Sequence, residues 1–416
     1  MKILIINSRF FLSAGPEKYM FGLMKILEKH GHEVVPFSIK NSKNRETPYE
    51  KYFAEPIGGG DKVYYEEYDR KNPKVLYQMV ERQFYSLHVK KRLKKLIKDT
   101  KPDLAYILHH YNKLSPSIID ACKESGLPVV MRLSDFTLVC PVGHLLRNGS
   151  PCEDCIEKSL FSAVKHKCVK KSLISSAIKA SAMKFHRMIK IYNKIDYVIS
   201  PSTFTISRVE KVLKNKIIHI PTFISHNEKY NPKIGDYAIF VGRVEAEKGL
   251  LWAIKSFEKT NGKLKIVGAS HSGHDKILHD YIKEHQMKNI EFTGPKFGEE
   301  LANLYRKSRF MVLPVVWYEN MPNVALESMS FSKPILTSDI GSMKEIVIED
   351  YNGLLVKPND VEELRKKIIL LFKNDKLCKQ LGKNAFNESI NKYSPEKHYK
   401  RLIKIFEKAI NDNKKK

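Results

Sequence analysis

"KILIINSRFFLSAGPEKYMFGLMKILEKHGHEVVPFSI", residues 2–39, is the stretch whose reading decides the fold. It opens on a continuous apolar run, "KILIIN" (2–7), the pattern of a strand buried on both faces. A loop with Gly15 and Pro16 follows. Tyr19, Leu23, Ile26 and Leu27 then recur at helical spacing until Gly31 stops the helix, and "HEVVPFSI" (32–39) reads as a second strand. Strand, helix, strand at these lengths predicts a right-handed parallel unit.

The same alternation continues outward. Residues 40–75 are polar and irregular, with glycines at 58–60, and read as an insertion. One helix is predicted over 75–99. "KPDLAYILHH" (101–110) and "LPVVMRLSD" (127–135) read as strands, and "IDYVISPS" (195–202) as the last strand of a first domain. Two of these end in polar groups: His109, His110, Ser134 and Asp135. Ligands of open parallel sheets sit at the carboxyl ends of strands, which makes these four candidates to face a ligand cleft. An irregular stretch with Pro221, Pro232 and Gly235 reads as a linker. The pattern restarts at "YAIFVGR" (237–243) and alternates through "GKLKIVG", "IEFTG", "RFMVLPV" and "KPILTS", which predicts a second doubly wound domain. A last helix begins at Ser394-Pro395. The expected division is a first domain at 1–205 with a cysteine-rich and basic insertion at about 136–194, a linker at 206–235, a second domain at 236–392 and a terminal helix at 393–416.

Bulk properties agree with two α/β domains. A chain of 416 residues with 42% hydrophobic residues exceeds one ordinary core and can fill two. No apolar run approaches twenty residues, so no transmembrane helix is predicted. The first residues read as a strand and not a signal peptide, which predicts a cytoplasmic protein. The net charge of +27 favours an anionic partner. No basic-aromatic module of a nucleic-acid binder is present, so nucleic acid is set aside. Between Lys158 and Ile195 there are ten Lys or Arg and no Asp or Glu, mixed with apolar residues at roughly helical spacing. This reads either as an amphipathic surface for anionic lipid or as a core-packed helix with a solvated basic face.

Two short stretches carry chemistry. In "WYENMPNVALES" (317–328), Pro322 suits the first turn of a helix predicted to reach about Met329, with Ala325, Leu326 and Met329 inward. Glu319 stays on the preceding loop and Glu327 enters the helix. The first-turn N–H groups of Asn323 and Val324 suit an anion, and carboxylates accept hydrogen bonds from sugar hydroxyls. In "VGRVEAEKG" (241–249), Arg243 and Lys248 flank a strand–helix junction, as a diphosphate site would need. Each stretch alone is also compatible with solvated surface charge.

Taken in order, "GRVEAEKG", "ENMPNVALE" and "SKPILTSDIGSMKEIVIEDYNGLLVKP" resemble glycosyltransferase family four, the retaining branch with the GT-B fold. "AGPEKYMFGLMKILEKHGHEV" and "YSPEKHYKRLIKIF" extend the resemblance to nearly the whole chain. It implies two doubly wound Rossmann-like domains facing a central cleft, with the C-terminal helix crossing back to the first. It implies a hexosyltransferase that moves a sugar from a UDP- or GDP-type nucleotide-diphosphate sugar to a glycan or lipid-linked acceptor. The setting is surface polysaccharide or glycolipid synthesis at the cytoplasmic face of the membrane. Arg243 and Lys248, beside Gly242, match the pair on the donor diphosphate. Glu319 matches the glutamate on the transferred sugar and Glu327 the one on the ribose. The backbone of Asn320, Met321, Pro322, Asn323 and Val324 matches the loop and helix start around sugar and phosphate. Gly15 matches the N-terminal loop that approaches the diphosphate, and Lys296, in "GPKF", falls where the nucleobase is met.

The implied catalysts are Glu319, Arg243 and Lys248, with the leaving diphosphate as base and no cofactor or divalent metal required. The chain departs from the family at Ser134-Asp135, where His-Asp is usual, at Ala14-Gly15 for a double glycine, and at Pro221-Thr222-Phe223 for Pro-Asn-Gly. These departures touch acceptor and sugar geometry more than donor binding. A non-catalytic sugar-nucleotide-binding homologue, or another GT-B enzyme such as an epimerase or phosphorylase, is the alternative.

Cys122 and Cys378 read as core packing. Cys140, Cys152, Cys155 and Cys168 form C-x11-C-x2-C-x12-C. In a cytoplasmic chain this favours a structural zinc or iron–sulfur cluster over disulfides, with free or redox-active thiols as the other reading.

Overall fold

Strand β1 (Lys2–Asn7) forms where the opening apolar run predicts it, and Ile3 to Ile6 are almost wholly buried. The computed structural model describes residues 1–13, 15–62, 67–225 and 228–415. The chain divides into two compact units. Unit 1 holds Met1–His144, Glu153–Ile220 and His398–Lys416, and unit 2 holds Leu145–Cys152 and Pro221–Lys397.

In unit 1, β1 is followed by α1 (Gly15–Lys29), β2 (Glu33–Phe37), α2 (Pro73–Phe84), α3 (Leu87–Thr100), β3 (Leu104–His109), α4 (Ser117–Glu124) and β4 (Val129–Arg132). A short antiparallel hairpin, β5 (Leu146–Arg147) and β6 (Ser150–Pro151), is counted with unit 2. Then come α5 (Asp154–Glu157), α6 (Phe161–Lys165), α7 (Leu173–Met188), β7 (Tyr197–Ser200), α8 (Thr203–Val209) and β8 (Ile217–His219). The six longer strands form one parallel sheet in the order β2-β1-β3-β4-β7-β8. Ala14, read above as part of the first loop, lies outside the described residues.

Two local readings are corrected. The helix expected over 75–99 is two helices, because the chain turns extended at Tyr85 and Ser86 and the Ser86 hydroxyl accepts the Val89 N–H at 3.2 Å to start α3. The stretch 206–235 also contains a strand: β8 pairs with β7, Val198 opposite Ile217. Three residues are too few to show a period, so its prolines dominated the reading.

Unit 2 continues with β9 (Tyr237–Val241), α9 (Leu250–Phe257), β10 (Lys263–Val267), α10 (His274–Glu284), β11 (Ile290–Gly294), α11 (Gly298–Lys307), β12 (Ser308–Leu313), α12 (Asn323–Ser330) and β13 (Ile335–Ser338). It closes with α13 (Met343–Ile346), β14 (Gly353–Val356), α14 (Val361–Lys373) and α15 (Asp375–Tyr393). Its sheet is parallel, in the order β11-β10-β9-β12-β13-β14. Phe240, Ile266, Met311, Leu336, Leu326 and Met329 lie in one buried core between strands and helices.

The last helix, α16 (Pro395–Lys414), packs with unit 1 from His398 onward. His398 Nε2 meets the Tyr19 hydroxyl at 2.9 Å, the Phe406 and Tyr106 rings are 5.1 Å apart, and Tyr197 donates to Asp412 at 2.6 Å. Both sheets reverse strand order at one place, β1/β3 in unit 1 and β9/β12 in unit 2. Such switch points leave a crevice at the strands' carboxyl ends, which is where ligands bind.

Candidate functional site

The unit 2 switch point is built from the loops after β9 and β12, and a glycine makes their approach possible. Gly249 has φ +71°, and a Cβ there would stand 1.8 Å from the Pro314 carbonyl oxygen. Only glycine fits both constraints. A second contact ties the two loops, as the Val316 N–H donates to the Glu247 carbonyl at 3.1 Å.

Lys248 is thereby carried to Glu319, 71 residues away in sequence, and their side chains form a short ion pair between Nζ and Oε1. The Trp317 indole N–H donates to the same Oε1 at 2.8 Å, and Lys248 Nζ sits 5.2 Å from the Trp317 ring centre. Both donors go to Oε1 and leave Oε2 to other contacts. The Ser342 hydroxyl donates to the Glu319 carbonyl at 2.6 Å and fixes the loop from the other side. Glu319 is buried, with 8% exposure, and specific donors hold its Oε1. Arg243 pairs with Glu247 at 2.9 Å and is half-exposed.

Helix α12 begins at Asn323, after Pro322 in extended conformation, so the proline separates Glu319 on the loop from Glu327 in the helix. Asn320 and Met321 complete the loop, and the first-turn N–H groups at Asn323 and Val324 open the helix. Glu327 is buried, and the Tyr305 hydroxyl meets its Oε2 at 3.3 Å. Burial, reinforced by the Glu327 charge, pushes the Tyr305 hydroxyl well above its ordinary range, so it stays a donor.

Glu245 supports this loop from beneath. It accepts the His271 N–H at 2.8 Å and the Ser272 hydroxyl, which joins the loops after β9 and β10. Burial would raise its pKa, but these donors and the Arg243 charge outweigh it and hold the carboxyl below its ordinary value. The same two loops touch at Gly242 and Gly268, where a Cβ on Gly268 would meet the Gly242 carbonyl oxygen at 1.8 Å. Lys296, beyond the edge strand β11, pairs with Glu300 at 3.4 Å and lies two strands from the Lys248 loop.

Trp317, Tyr305 and Glu245 had not been singled out from the sequence. The signal was present for two of them. Trp317 is one of two tryptophans and stands two residues before Glu319, and Glu245 is an acid inside a diphosphate-type turn. Tyr305 carried no signal, because it comes from the last turn of α11, a neighbouring helix.

At the unit 1 switch point, His109 Nδ1 lies 2.9 Å from the Ser8 hydroxyl, and Nε2 lies 3.9 Å from Asp135 Oδ2. Burial lowers the His109 pKa, with Asp135 opposing it. The structure thus brings His109 and Asp135 together. Ser134 instead donates to the Leu108 carbonyl at 2.7 Å. His110 is packed away, 3.1 Å from the Tyr192 hydroxyl, and burial holds its pKa well below the ordinary imidazole value. Gly15 is the exposed first residue of α1.

Cys140 is buried, and Cys152, Cys155 and Cys168 are half-buried. Among the described residues, no group of three or more His, Cys, Asp or Glu is arranged to hold a metal ion. No helix among the described residues is long and apolar enough to cross a membrane.

Comparison with known proteins covers the same ground. Residues 224–388, which hold every unit 2 site residue above, match the family model described as glycosyl transferases group 1. An uncharacterized glycosyltransferase of Methanocaldococcus jannaschii is 31% identical over 212 residues, 51% of this chain and 59% of that protein. A capsular polysaccharide biosynthesis glycosyltransferase of Staphylococcus aureus is 23% identical over 193 residues, 45% of this chain and 50% of that protein. The chain thus spans about half the length of these relatives. The solved Anabaena protein HepE, in complex with UDP, superimposes with a TM-score of 0.65 at 14% identity, covering 98% of this chain and 100% of that one. The two units therefore have the GT-B fold, and residues 224–388 are similar to the glycosyl transferases group 1 family.

Proposed function

We propose that the chain is a retaining glycosyltransferase that moves a hexose from a nucleotide-diphosphate sugar to a glycan or lipid-linked acceptor. The observation that carries this reading is the grouping of Lys248, Glu319 and Trp317 beside the start of α12, at the unit 2 switch point. Arg243, Lys248 and the first-turn N–H groups supply positive charge to a diphosphate. Oε2 of Glu319 accepts a hydroxyl of the transferred sugar, and Glu327, oriented by Tyr305, accepts the ribose hydroxyls. UDP is the favoured nucleotide, since a protein of the same fold is solved with it. Surface polysaccharide is the favoured setting, since a relative is named for capsule synthesis.

In the reaction, the bond from the anomeric carbon to the diphosphate oxygen breaks. The acceptor hydroxyl oxygen bonds to that carbon on the same face, and its proton passes to the departing diphosphate. Lys248 and Arg243 stabilise the negative charge that grows there, a contribution larger in the transition state than in the ground state.

A thermal-shift screen of UDP-, GDP- and ADP-sugars tests the reading. A donor present at 100 times its Kd stabilises the protein by about 2.7 kcal/mol. Glu327→Ala is expected to remove most of that shift. A full shift in Glu327→Ala would refute the ribose assignment, and no shift with any sugar nucleotide would refute the donor site.

A further inference from the structure

The inner stripe of α7 is not apolar throughout. Lys179, Ala182, Met183, His186 and Arg187 recur at the spacing of one helical face and line a cavity of about 320 Å³ inside unit 1. Leu138, Val212 and Leu213, with Tyr111 and Tyr192, add apolar and aromatic wall. Arg82, Lys190 and Lys214 add further cations, and among the described residues no Asp or Glu lines the cavity.

Cations on the inward stripe of a helix are costly unless something neutralises them. Here the local partners are too few. Among the described residues, Nε and Nη2 of Arg187 are buried with no hydrogen-bond partner. Lys179 donates to the amide oxygens of Gln83, at 2.8 Å, and Asn112, and Asp135 acts on it by charge without a hydrogen bond. Burial brings its amine down to about 8. Such a site is short of an anion. The planar fork of Arg187 matches two oxygens of a phosphate, and Lys179 can add a point charge. The apolar wall adds a second requirement, since inorganic phosphate alone would leave it wet. The surroundings point the same way. Leu173 and Ile174 at the start of α7, Met188 at its end and Phe161 on α6 are 53–72% exposed, the kind of surface that meets an acyl layer.

We propose that this cavity binds a phosphate-bearing amphiphile, with the phosphate on Arg187 and Lys179 and the hydrocarbon stem against Met183, Leu138 and Leu213. The site lies within unit 1 and is independent of the nucleotide-sugar reading.

Calorimetric titration of the full chain with decyl phosphate below its micellar concentration tests it, with inorganic phosphate and decanol as controls. Decyl phosphate is expected to bind at least tenfold more tightly than either control. Arg187→Gln, which removes the fork, and Met183→Trp, which fills the cavity, are each expected to weaken it at least tenfold. Both should leave any sugar-nucleotide thermal shift unchanged, so loss of amphiphile binding and loss of donor binding remain separable. Flotation with vesicles of phosphatidylcholine, with and without phosphatidic acid, identifies the source. Arg187-dependent flotation assigns the cavity to a bilayer phospholipid. Arg187-dependent decyl phosphate binding without flotation assigns it to a lipid-phosphate carrier. Decyl phosphate binding no tighter than the controls, or unchanged in both variants, overturns the proposal.

Discussion

The role of Lys248 depends on a partner far away in sequence. Its ion pair with Glu319, shared with the Trp317 N–H, sets where the ammonium stands. Lys248→Met is expected to lower kcat by about 10²–10³, the loss typical when one donor to a developing negative charge is removed. Steady-state kinetics with the donor found in the thermal screen would measure it. Trp317→Phe keeps the ring and deletes only the N–H, so a smaller loss in kcat/KM is expected, about tenfold, from one hydrogen bond to a charged group. His110 makes a different prediction. Its folded pKa lies well below the ordinary 6.5, so the unfolded chain takes up the proton first as pH falls. The stability this buried neutral ring contributes is present above pH 6.5 and lost below it. Tm should therefore fall between pH 6.5 and 5, and His110→Gln should flatten that fall. Arg243, Lys248, Glu319 and Glu327 were legible in the sequence, because each sits at a strand end or helix turn that periodicity marks. Tyr305 was not, because its meeting with Glu327 depends on how α11 packs beside α12, and pairwise packing leaves no period in a sequence.

At the scale of elements, the loop after β9 depends on one backbone conformation. Gly249→Ala would force a left-handed alanine, costing about 1–2 kcal/mol, and drive its Cβ into the Pro314 carbonyl. The expected result is a large drop in Tm together with loss of the donor-induced shift. Gly273 is the control. Its φ is also positive, at +79°, but nothing lies within 4 Å of its Cβ position. Gly273→Ala should therefore cost only the conformational term and leave donor binding intact. Long elements such as β1, β9 and α16 could be read from pattern, since burial on both faces or along one stripe writes itself into many residues. The break at Tyr85–Ser86 and the strand β8 could not. A cap made by one serine hydroxyl, and a strand that exists only because β7 offers it an edge, are tertiary facts.

At the scale of the whole molecule, α16 closes unit 1. Truncation before Pro395 would uncover Tyr19 and Tyr106, which His398 and Phe406 cover. Limited proteolysis should then cut unit 1 far sooner than unit 2, whose core contains no residue of α16. The order of the chain adds a consequence in time. A ribosome finishes Met1–His144 and Glu153–Ile220 of unit 1 and then makes Pro221–Lys397 of unit 2 before it reaches His398. At usual elongation rates that interval is on the order of 10–40 s. For that time the earlier-made unit waits with an open aromatic seam while the later-made one can already fold. The seam between α1, β3 and the still-absent helix is thus the nascent chain's most exposed liability, and the place where a holding chaperone would be needed.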